Sequence, residues 1–278
     1  MRILVVDDEP LALDRLRAAI LPIEGIERVD TARDGDEALE RIAEMRPDLV
    51  ILDVQMPGQS GIDVARVLAA SDDPPDIIFV TAFDRYATEA FEVEAVDYLL
   101  KPVSFDRLRL AIQRARRRGA LRDAQGRAAE LDMVVRALRA DARAPLVEQA
   151  AGTRPVYENG IWVPCKRGAI RVAVESIDWI EAARDYVLLN TPVKSHIMRA
   201  TMNEIEAMLD PALLLRIHRS YIVRLGAVVR VERPGKGALR LLLSDGANLQ
   251  VGPSYHGTVL EALQIGAVPM RSDEAVSG

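Results

Sequence analysis

Two adjacent carboxylates, Asp7 and Asp8, close the first apolar run of the chain, Ile3-Leu4-Val5-Val6, and a third, Asp53, closes the run Leu49-Val50-Ile51-Leu52. In a parallel α/β sheet, residues just past the carboxyl ends of neighbouring strands meet at one edge, where such folds collect their ligands. Three acidic groups brought together there suit a hard divalent cation. Mg²⁺ keeps several waters and takes one or two carboxylates plus the phosphate oxygens of an incoming group. Phosphoryl transfer onto the solitary carboxylate, Asp53, is the chemistry this arrangement favours. Two more apolar runs end in matching polar groups, Ile77-Ile78-Phe79-Val80 in Thr81 and Tyr98-Leu99-Leu100 in Lys101-Pro102. The lysine supplies a point charge for phosphate oxygens, and the threonine hydroxyl can donate a hydrogen bond to the same group.

These side chains must be held by β-like runs separated by helical stretches. One strand-end Asp or Lys is ordinarily a solvated loop residue. Five polar groups in order, each ending such a run, point instead to one cleft.

The motifs Asp7-Asp8-Glu9-Pro10, Asp53-Val54-Gln55-Met56-Pro57-Gly58, Thr81-Ala82-Phe83 and Lys101-Pro102 resemble the receiver domain of two-component response regulators over about residues 1–118. The resemblance implies a doubly wound α/β fold with a five-stranded parallel sheet. It further implies that Asp53 accepts a phosphoryl group from a sensor histidine kinase. Asp7 or Asp8, with Asp53 and the Gln55 backbone carbonyl, would hold Mg²⁺, while Lys101 and Thr81 would contact the phosphoryl oxygens. Tyr98 falls at the family's switch aromatic: Thr81 moving toward the phosphate leaves space for the Tyr98 ring, giving that face two states. A face built by Phe91, Tyr98 and Leu108 is then expected to form a homodimer on phosphorylation.

At 278 residues and 49% hydrophobic content, the chain has material for two cores. No apolar stretch approaches the roughly 20 residues of a membrane span, and the N-terminus starts a strand without a charged leader, so a cytoplasmic location is expected. The single cysteine, Cys165, excludes an internal disulfide and a cysteine metal cluster. The net charge of −6 conceals an asymmetry: residues 1–105 carry 10 Lys+Arg and 23 Asp+Glu, the remainder 26 and 19. A polyanionic partner therefore belongs to the second half.

From Phe105 to Arg143 the chain is rich in Arg, Ala and Leu and free of proline. Leu108, Ile112, Ala115 and Gly119 share one helical face, and Leu131, Val134, Val135 and Leu138 share another. With Gly119 and Gly126 as weak points, the pattern predicts the receiver's last helix followed by a partly separate linker helix. Arg114, Arg116, Arg117 and Arg118 read as a solvated basic helix end. A helical and flexible linker over 119–155 would lead to a mostly-β module at 156–265 and a tail at 266–278. The module shows short β-rich runs, turns such as Pro234-Gly235-Lys236-Gly237, and a capping box, Thr201-Met202-Asn203-Glu204, opening one short helix. No Walker-type loop or nucleophile elbow is visible in it, so a second catalytic domain is not expected.

The segments Ile177 to Ala182, Asp185-Tyr186-Val187, Met202 to Glu206 and Leu215-Arg216-Ile217-His218-Arg219-Ser220-Tyr221-Ile222-Val223 resemble the LytTR DNA-binding domain. The resemblance implies a sheet-rich fold that sets loops into the major groove of double-stranded DNA at repeated sites, in a regulator of the LytR/AlgR type. It places Arg219 at a DNA contact and Arg184 and Arg224 near the other contact loops, with His218 read as a packed, hydrogen-bonded residue. Two positions depart from the family: Arg224 stands where asparagine is usual, and Gly252-Pro253 where Ser-Arg is usual. The module carries only 13 Lys+Arg against 11 Asp+Glu, so non-specific affinity from counterion release should be modest. A module that binds protein instead of DNA is the rival reading. A haloacid-dehalogenase-like phosphatase also uses a strand-end Asp, but requires a second Asp where Gln55 stands.

Overall fold

The structure is a computed structural model that describes residues 1–71, 73–82, 95–138, 159–165, 168–235 and 237–265, with residues 125–138 as backbone. The first part alternates β1 (Arg2–Val6), α1 (Pro10–Ile20), β2 (Arg28–Ala32), α2 (Gly35–Met45), β3 (Leu49–Leu52), α3 (Gly61–Leu68), β4 (Asp76–Thr81), β5 (Asp97–Leu100) and α4 (Phe105–Leu138). Its five strands lie in the order β2-β1-β3-β4-β5, all parallel. Apart from Arg2, Asp76 and Thr81 at strand ends, the inner strands are apolar because both sheet faces are covered. Leu4, Val6, Val50 and Leu52 pack with Ala38, Ile42, Ile62 and Ala65 of α2 and α3. Ile3, Val5 and Ile51 pack on the opposite face with Leu13, Leu16, Leu108 and Ile112 of α1 and α4. This alternation is the strand's period of two. Leu108 is therefore core, not part of a surface around Tyr98, and Phe91 lies outside the described residues.

Helix α4 differs from the expected break. It runs unbroken for 34 residues across Gly119 and Gly126, since each glycine costs only about 1 kcal/mol in an otherwise helix-favouring, proline-free segment. Its arginines are solvated only in part: Arg116 and Arg117 are exposed, as expected, but Arg114 and Arg118 are not. Arg114 is 1% exposed, Arg116 donates to the Glu24 carbonyl at 2.9 Å, and Arg118 and Arg122 lie 3.5 and 3.0 Å from the buried carboxylate of Asp76. The spacing 114, 118, 122 keeps these three on one side of the helix, tying it to the sheet beyond Gly119.

The second part is antiparallel. A hairpin joins β6 (Gly160–Cys165) to β7 (Gly168–Ala173). A five-stranded sheet follows, built from β8 (Trp179–Ala183), β9 (Tyr186–Asn190), β10 (Ser195–Arg199), β11 (Leu214–His218) and β12 (Tyr221–Arg224), in the order β10-β9-β8-β12-β11. A three-stranded sheet is made by β13 (Val228–Glu232), β14 (Leu239–Leu243) and β15 (Asn248–Val251). Two short helices complete it, α5 (Met202–Met208) and α6 (His256–Ala262). The capping box at Thr201 is formed as the sequence predicts, with Glu204 N donating to Thr201 Oγ1 and Thr201 N to Glu204 Oε2. One face of the five-stranded sheet packs on α5 and the β6–β7 hairpin through Ile180, Val187, Leu189, Ile205 and Ile222. On the other face, Trp179, Ile217 and Val223 meet Leu239, Leu241 and Leu249 of the three-stranded sheet, while Ala183, Tyr186, Leu188 and Ile197 join the apolar cluster of the first part that holds Tyr98.

Candidate functional site

The parallel register sets the carboxyl ends of β1 and β3 side by side, pairing Val6 with Leu52, so Asp7 and Asp53 leave the sheet as neighbours. Asp53 N donates to the Val6 carbonyl and Asp7 N to that of Ala32, which extends the ladder one step and fixes both backbones. Lys101, just past β5, reaches across: its Nζ lies 2.6 Å from Asp7 Oδ2 and 2.7 Å from Asp53 Oδ2. Only the contact with Asp53 has hydrogen-bond geometry, and Asp7 Oδ2 is buried without a directed donor. Carboxylate oxygens of Asp7, Asp8 and Asp53 lie within 4.8 Å of one another. A buried carboxylate oxygen lacking a donor, within a set of three acidic side chains, fits a hard divalent cation.

Burial pushes the Asp53 carboxyl above the ordinary carboxylate range, opposed by the hydrogen bond and charge of Lys101. Burial draws the Lys101 ammonium down, but Asp53 and Asp7 outweigh it and its pKa lies above that of an ordinary lysine. Thr81, the last residue of β4, is fully buried at the same edge, and its carbonyl accepts from Lys101 N at 2.8 Å. Gln55 N donates to Asp53 Oδ1 at 3.2 Å. Tyr98 is 4% exposed, its ring 6.3 Å from that of Phe79.

Sequence reasoning passed over Gly61. A Cβ there would stand 2.0 Å from the Asp53 carbonyl oxygen, so the start of α3 lies directly against the backbone of Asp53. The only signal was Ser60 preceding an apolar helical run, and Ser60 does cap α3 by accepting from Asp63 N.

In the second part, Arg184 sits in the two-residue turn between β8 and β9, exposed and in the left-handed region at φ 54°. Arg219 is exposed in the β11–β12 turn. Because Ala182 N donates to the Ser220 carbonyl, these two turns lie beside each other at one end of the sheet. Arg199, paired with Tyr186 and exposed, extends the same edge; it ends an ordinary-looking strand and carried no sequence signal. Gly252 N bonds the Ile217 carbonyl, which brings the Gly252-Pro253 loop to that end too. His218 is packed as expected, its Nδ1 accepting from Ser220 N and its ring 5.5 Å from Tyr221.

Arg224 differs from its expected place. It stands at the far end of β12, three strand steps of about 3.3 Å from Tyr221, which follows the turn that holds Arg219. Its guanidinium turns inward, paired with the buried carboxylate of Asp178 and donating to the Ile177 carbonyl. The sheet register therefore sets Arg219 and Arg184 together and leaves Arg224 apart.

Two family models match the chain, the response regulator receiver domain over residues 3–113 and the LytTr DNA-binding domain over residues 167–264. An uncharacterized response regulatory protein of Vibrio cholerae is 32% identical over 245 residues, spanning 84% of this chain and 88% of that protein. The chain belongs to the LytR/AlgR-type response regulators. The transcriptional regulatory protein LytR of Staphylococcus aureus is 28% identical over 255 residues, covering 92% of this regulator and 96% of that protein. Among solved structures, the response regulator protein TrrA of Thermotoga maritima in complex with Mg²⁺-BeF is 38% identical, covers 41% of the regulator and 97% of that chain, and superposes with a TM-score of 0.38. A receiver domain followed by a LytTR DNA-binding domain makes this regulator a transcriptional regulator of a two-component system. Among its described residues, no helix is long and apolar enough to cross a membrane.

Proposed function

We propose that Asp53 accepts a phosphoryl group from a sensor histidine kinase, and that the regulator then binds repeated sites on double-stranded DNA as a homodimer. The observation that carries the first step is the Lys101 ammonium held between Asp7 and Asp53 at the edge where three carboxylates meet. An Asp53 carboxylate oxygen attacks phosphorus. A P–O bond forms as the P–N bond to the kinase histidine breaks, and the histidine nitrogen keeps that electron pair. Lys101 stays beside the new acyl phosphate and offsets its charge, while the Thr81 hydroxyl donates to one of its oxygens. Asp7, Asp8, Asp53 and the Gln55 carbonyl would hold Mg²⁺, which when bound neutralises charge on the phosphoryl oxygens.

In this reading residues 1–118 form the receiver, 119–155 the linker, 156–265 the DNA-binding module and 266–278 a tail; residues 139–158 and 266–278 lie outside the described residues. Arg219 and Arg184, joined by Arg199, form the edge that meets DNA, as phosphate or base-edge contacts. Arg224 belongs to the fold, because its charge is already spent on Asp178. The Gly252-Pro253 loop, which brings no cation to the same edge, favours the rival reading of a protein-binding module. DNA affinity of the phosphorylated protein that falls steeply with salt decides for DNA. The acceptor is tested by intact mass after incubation with acetyl phosphate and Mg²⁺. One phosphoryl group is expected on the wild type and none on Asp53→Asn, because an amide is a poor nucleophile. Undiminished labelling of the variant would move the site to Asp7 or Asp8.

A further inference from the structure

The strongest cluster of charges outside the acidic pocket lies between the two domains. Asp97, the first residue of β5, is fully buried and receives both Arg107 and Arg114 of α4. Arg107 Nη1 and Nη2 donate to its two oxygens at 2.8 and 2.9 Å, and Arg114 Nη1 donates at 2.5 Å. Each arginine also reaches the DNA-binding module. Arg107 Nε donates to Glu181 Oε2 at 3.2 Å; Arg114 Nη1 donates to Ser195 Oγ at 2.8 Å, and its Nη2 lies 3.6 Å from Asp245 Oδ2. The indole of Trp179 has both guanidinium groups about its ring, at 5.6 and 5.7 Å from the centroid, and its Nε1 donates to Asp245 at 2.9 Å. A backbone bond from Ser195 N to the Val96 carbonyl lays β10 along the outer edge of β5.

We propose that this docked arrangement is the resting state of the regulator, closed by an arginine clamp between Asp97 and the module's Glu181, Ser195, Asp245 and Trp179, and that phosphorylation of Asp53 opens it through β5. The inference rests on Asp53 being the phosphoacceptor. Strand β5 is four residues long and touches both sites. Lys101 follows its end and reads the acidic pocket, while Tyr98 N donates to Asp97 Oδ1 at 2.8 Å and so helps aim the carboxylate that grips both arginines. A cavity of about 250 Å³ lies at the seam, bounded by Tyr98, Ser104, Ala183, Leu188 and Tyr221. It gives the Tyr98 ring room to change position against the surface on which the module sits.

The clamp is built to release. Arg114 is buried, yet its Nε has no acceptor and its Nη2 meets Asp245 only at ion-pair distance. A buried guanidinium satisfied in part loses much of its Coulomb gain to desolvation. Closure also bears on DNA. Glu181, Ala182, Ala183 and Tyr221, which adjoin the turns of Arg184 and Arg219, line the same seam as Pro102 and Ser104 of the receiver. The receiver therefore borders the edge assigned to DNA.

Trp179 reports on the clamp directly. It is 1% exposed, whereas the other tryptophan, Trp162, is 60% exposed and can be replaced by phenylalanine. In the full-length Trp162→Phe protein, acrylamide should quench Trp179 weakly without activation and severalfold more strongly with Mg²⁺ and beryllofluoride. The same protein carrying Asp53→Asn should stay weakly quenched. Glu181→Arg, which sets a like charge against Arg107, should quench strongly without any phosphoryl mimic, with far-ultraviolet circular dichroism unchanged. That arm needs no phosphoryl chemistry, so it judges the docked state even where the Asp53 assignment fails: quenching equal to the parent overturns the clamp. Quenching that does not rise in protein shown by mass to be phosphorylated overturns its release by phosphorylation.

Discussion

Replacing Gly61 with alanine tests the packing that holds the phosphoacceptor. Gly61 does not need a left-handed backbone; its constraint is proximity. An added Cβ would stand 2.0 Å from the Asp53 carbonyl oxygen, 2.9 Å from its carbonyl carbon and 3.0 Å from Leu52 Cγ. Folded structures show essentially no Cβ contact under 3.0 Å, so α3 or the Asp53 backbone has to retreat by about 1 Å. Neither is free to do so, because Gly61 N is bonded to the Val54 carbonyl at 3.0 Å and Asp53 N to that of Val6 at 2.9 Å. Overpacking of this kind costs about 1–3 kcal/mol, and misplacing a reacting group by about 1 Å lowers its rate on the order of 100-fold. Gly58→Ala is the matched control. Gly58 has φ +78° and nothing within 4 Å of an added Cβ, so its penalty is conformational alone, about 1–2 kcal/mol. Urea unfolding of the receiver transition and the initial rate of labelling by acetyl phosphate read the two effects separately. Both variants should lose stability, but only Gly61→Ala should lose rate by more than its unfolded fraction explains. A Gly61→Ala protein with wild-type midpoint and rate would refute the reasoning.

Three further outcomes follow from the module. Arg219→Ala should weaken DNA binding, either by roughly 1–3 kcal/mol with relaxed preference at one base pair, or equally for all sequences with the salt slope lowered by about one, and binding titrations on selected DNA at two salt concentrations distinguish the two. Arg224→Ala leaves the buried Asp178 carboxylate unpaired and should lower module stability by about 3–5 kcal/mol in denaturant titration, with DNA affinity per folded molecule unchanged. His196 is depressed to about 4 by burial, with Lys194 adding to the effect. Its folded pKa lies below the unfolded value of about 6.5, so its contribution is present above pH 6.5 and is lost as pH falls toward 4, up to about 3 kcal/mol. Thermal melts between pH 7 and pH 4.5 should show a smaller acid loss in His196→Leu, and parallel curves would exclude His196 as the titrating group.

The receiver pocket was legible because its side chains follow buried strands. An apolar run of four fixes a strand, and parallel pairing then fixes where the next residue goes, so Asp7, Asp53 and Lys101 could be brought together without coordinates. Gly61 was hidden because close approach depends on a helix crossing a neighbouring backbone, which periodicity does not encode. Arg114 of α4 was hidden for a related reason. Arg114 looks like one of four solvated cations in a basic run, and only the helical phase relative to Asp97 shows it buried. Strands β10 and β11 have mixed patterns, Ser195-His196-Ile197-Met198-Arg199 and Leu214-Leu215-Arg216-Ile217-His218, because one face meets the module core while the other meets the receiver or lies at an edge. Arg224 lies only five residues from Arg219 in sequence, yet a strand carries its two ends to opposite ends of the sheet.

The clamp and the pocket also set limits on each other. A ligand or modification moves a two-state equilibrium from 1:99 to 99:1 only if it favours one state by about 5.5 kcal/mol. A closed form held by a fully satisfied charge network could exceed what one phosphoryl group supplies. The observed network is large but imperfect: Asp97 is held to about 2 by the two arginines against its burial, whereas burial lowers Arg114 despite Asp97 and Asp245. The two sides of the clamp thus differ. Asp97 with Arg107 is a firm bond inside the receiver, while the bridges to the module run through Arg114, whose Nε has no acceptor, and from Arg107 to Glu181, whose side chain is 22% exposed. Opening at the module side leaves the Asp97–Arg107 pair intact, so the receiver keeps its fold while the module leaves. A Ser195→Ala variant isolates that side, removing the hydroxyl that accepts from Arg114 and donates to Asn190 at 2.7 Å. It should lower the beryllofluoride concentration needed for half-maximal Trp179 quenching while leaving the phosphorylation rate of Asp53 unchanged, and an equal shift in both would show that Ser195 acts on the acidic pocket instead of on the clamp alone.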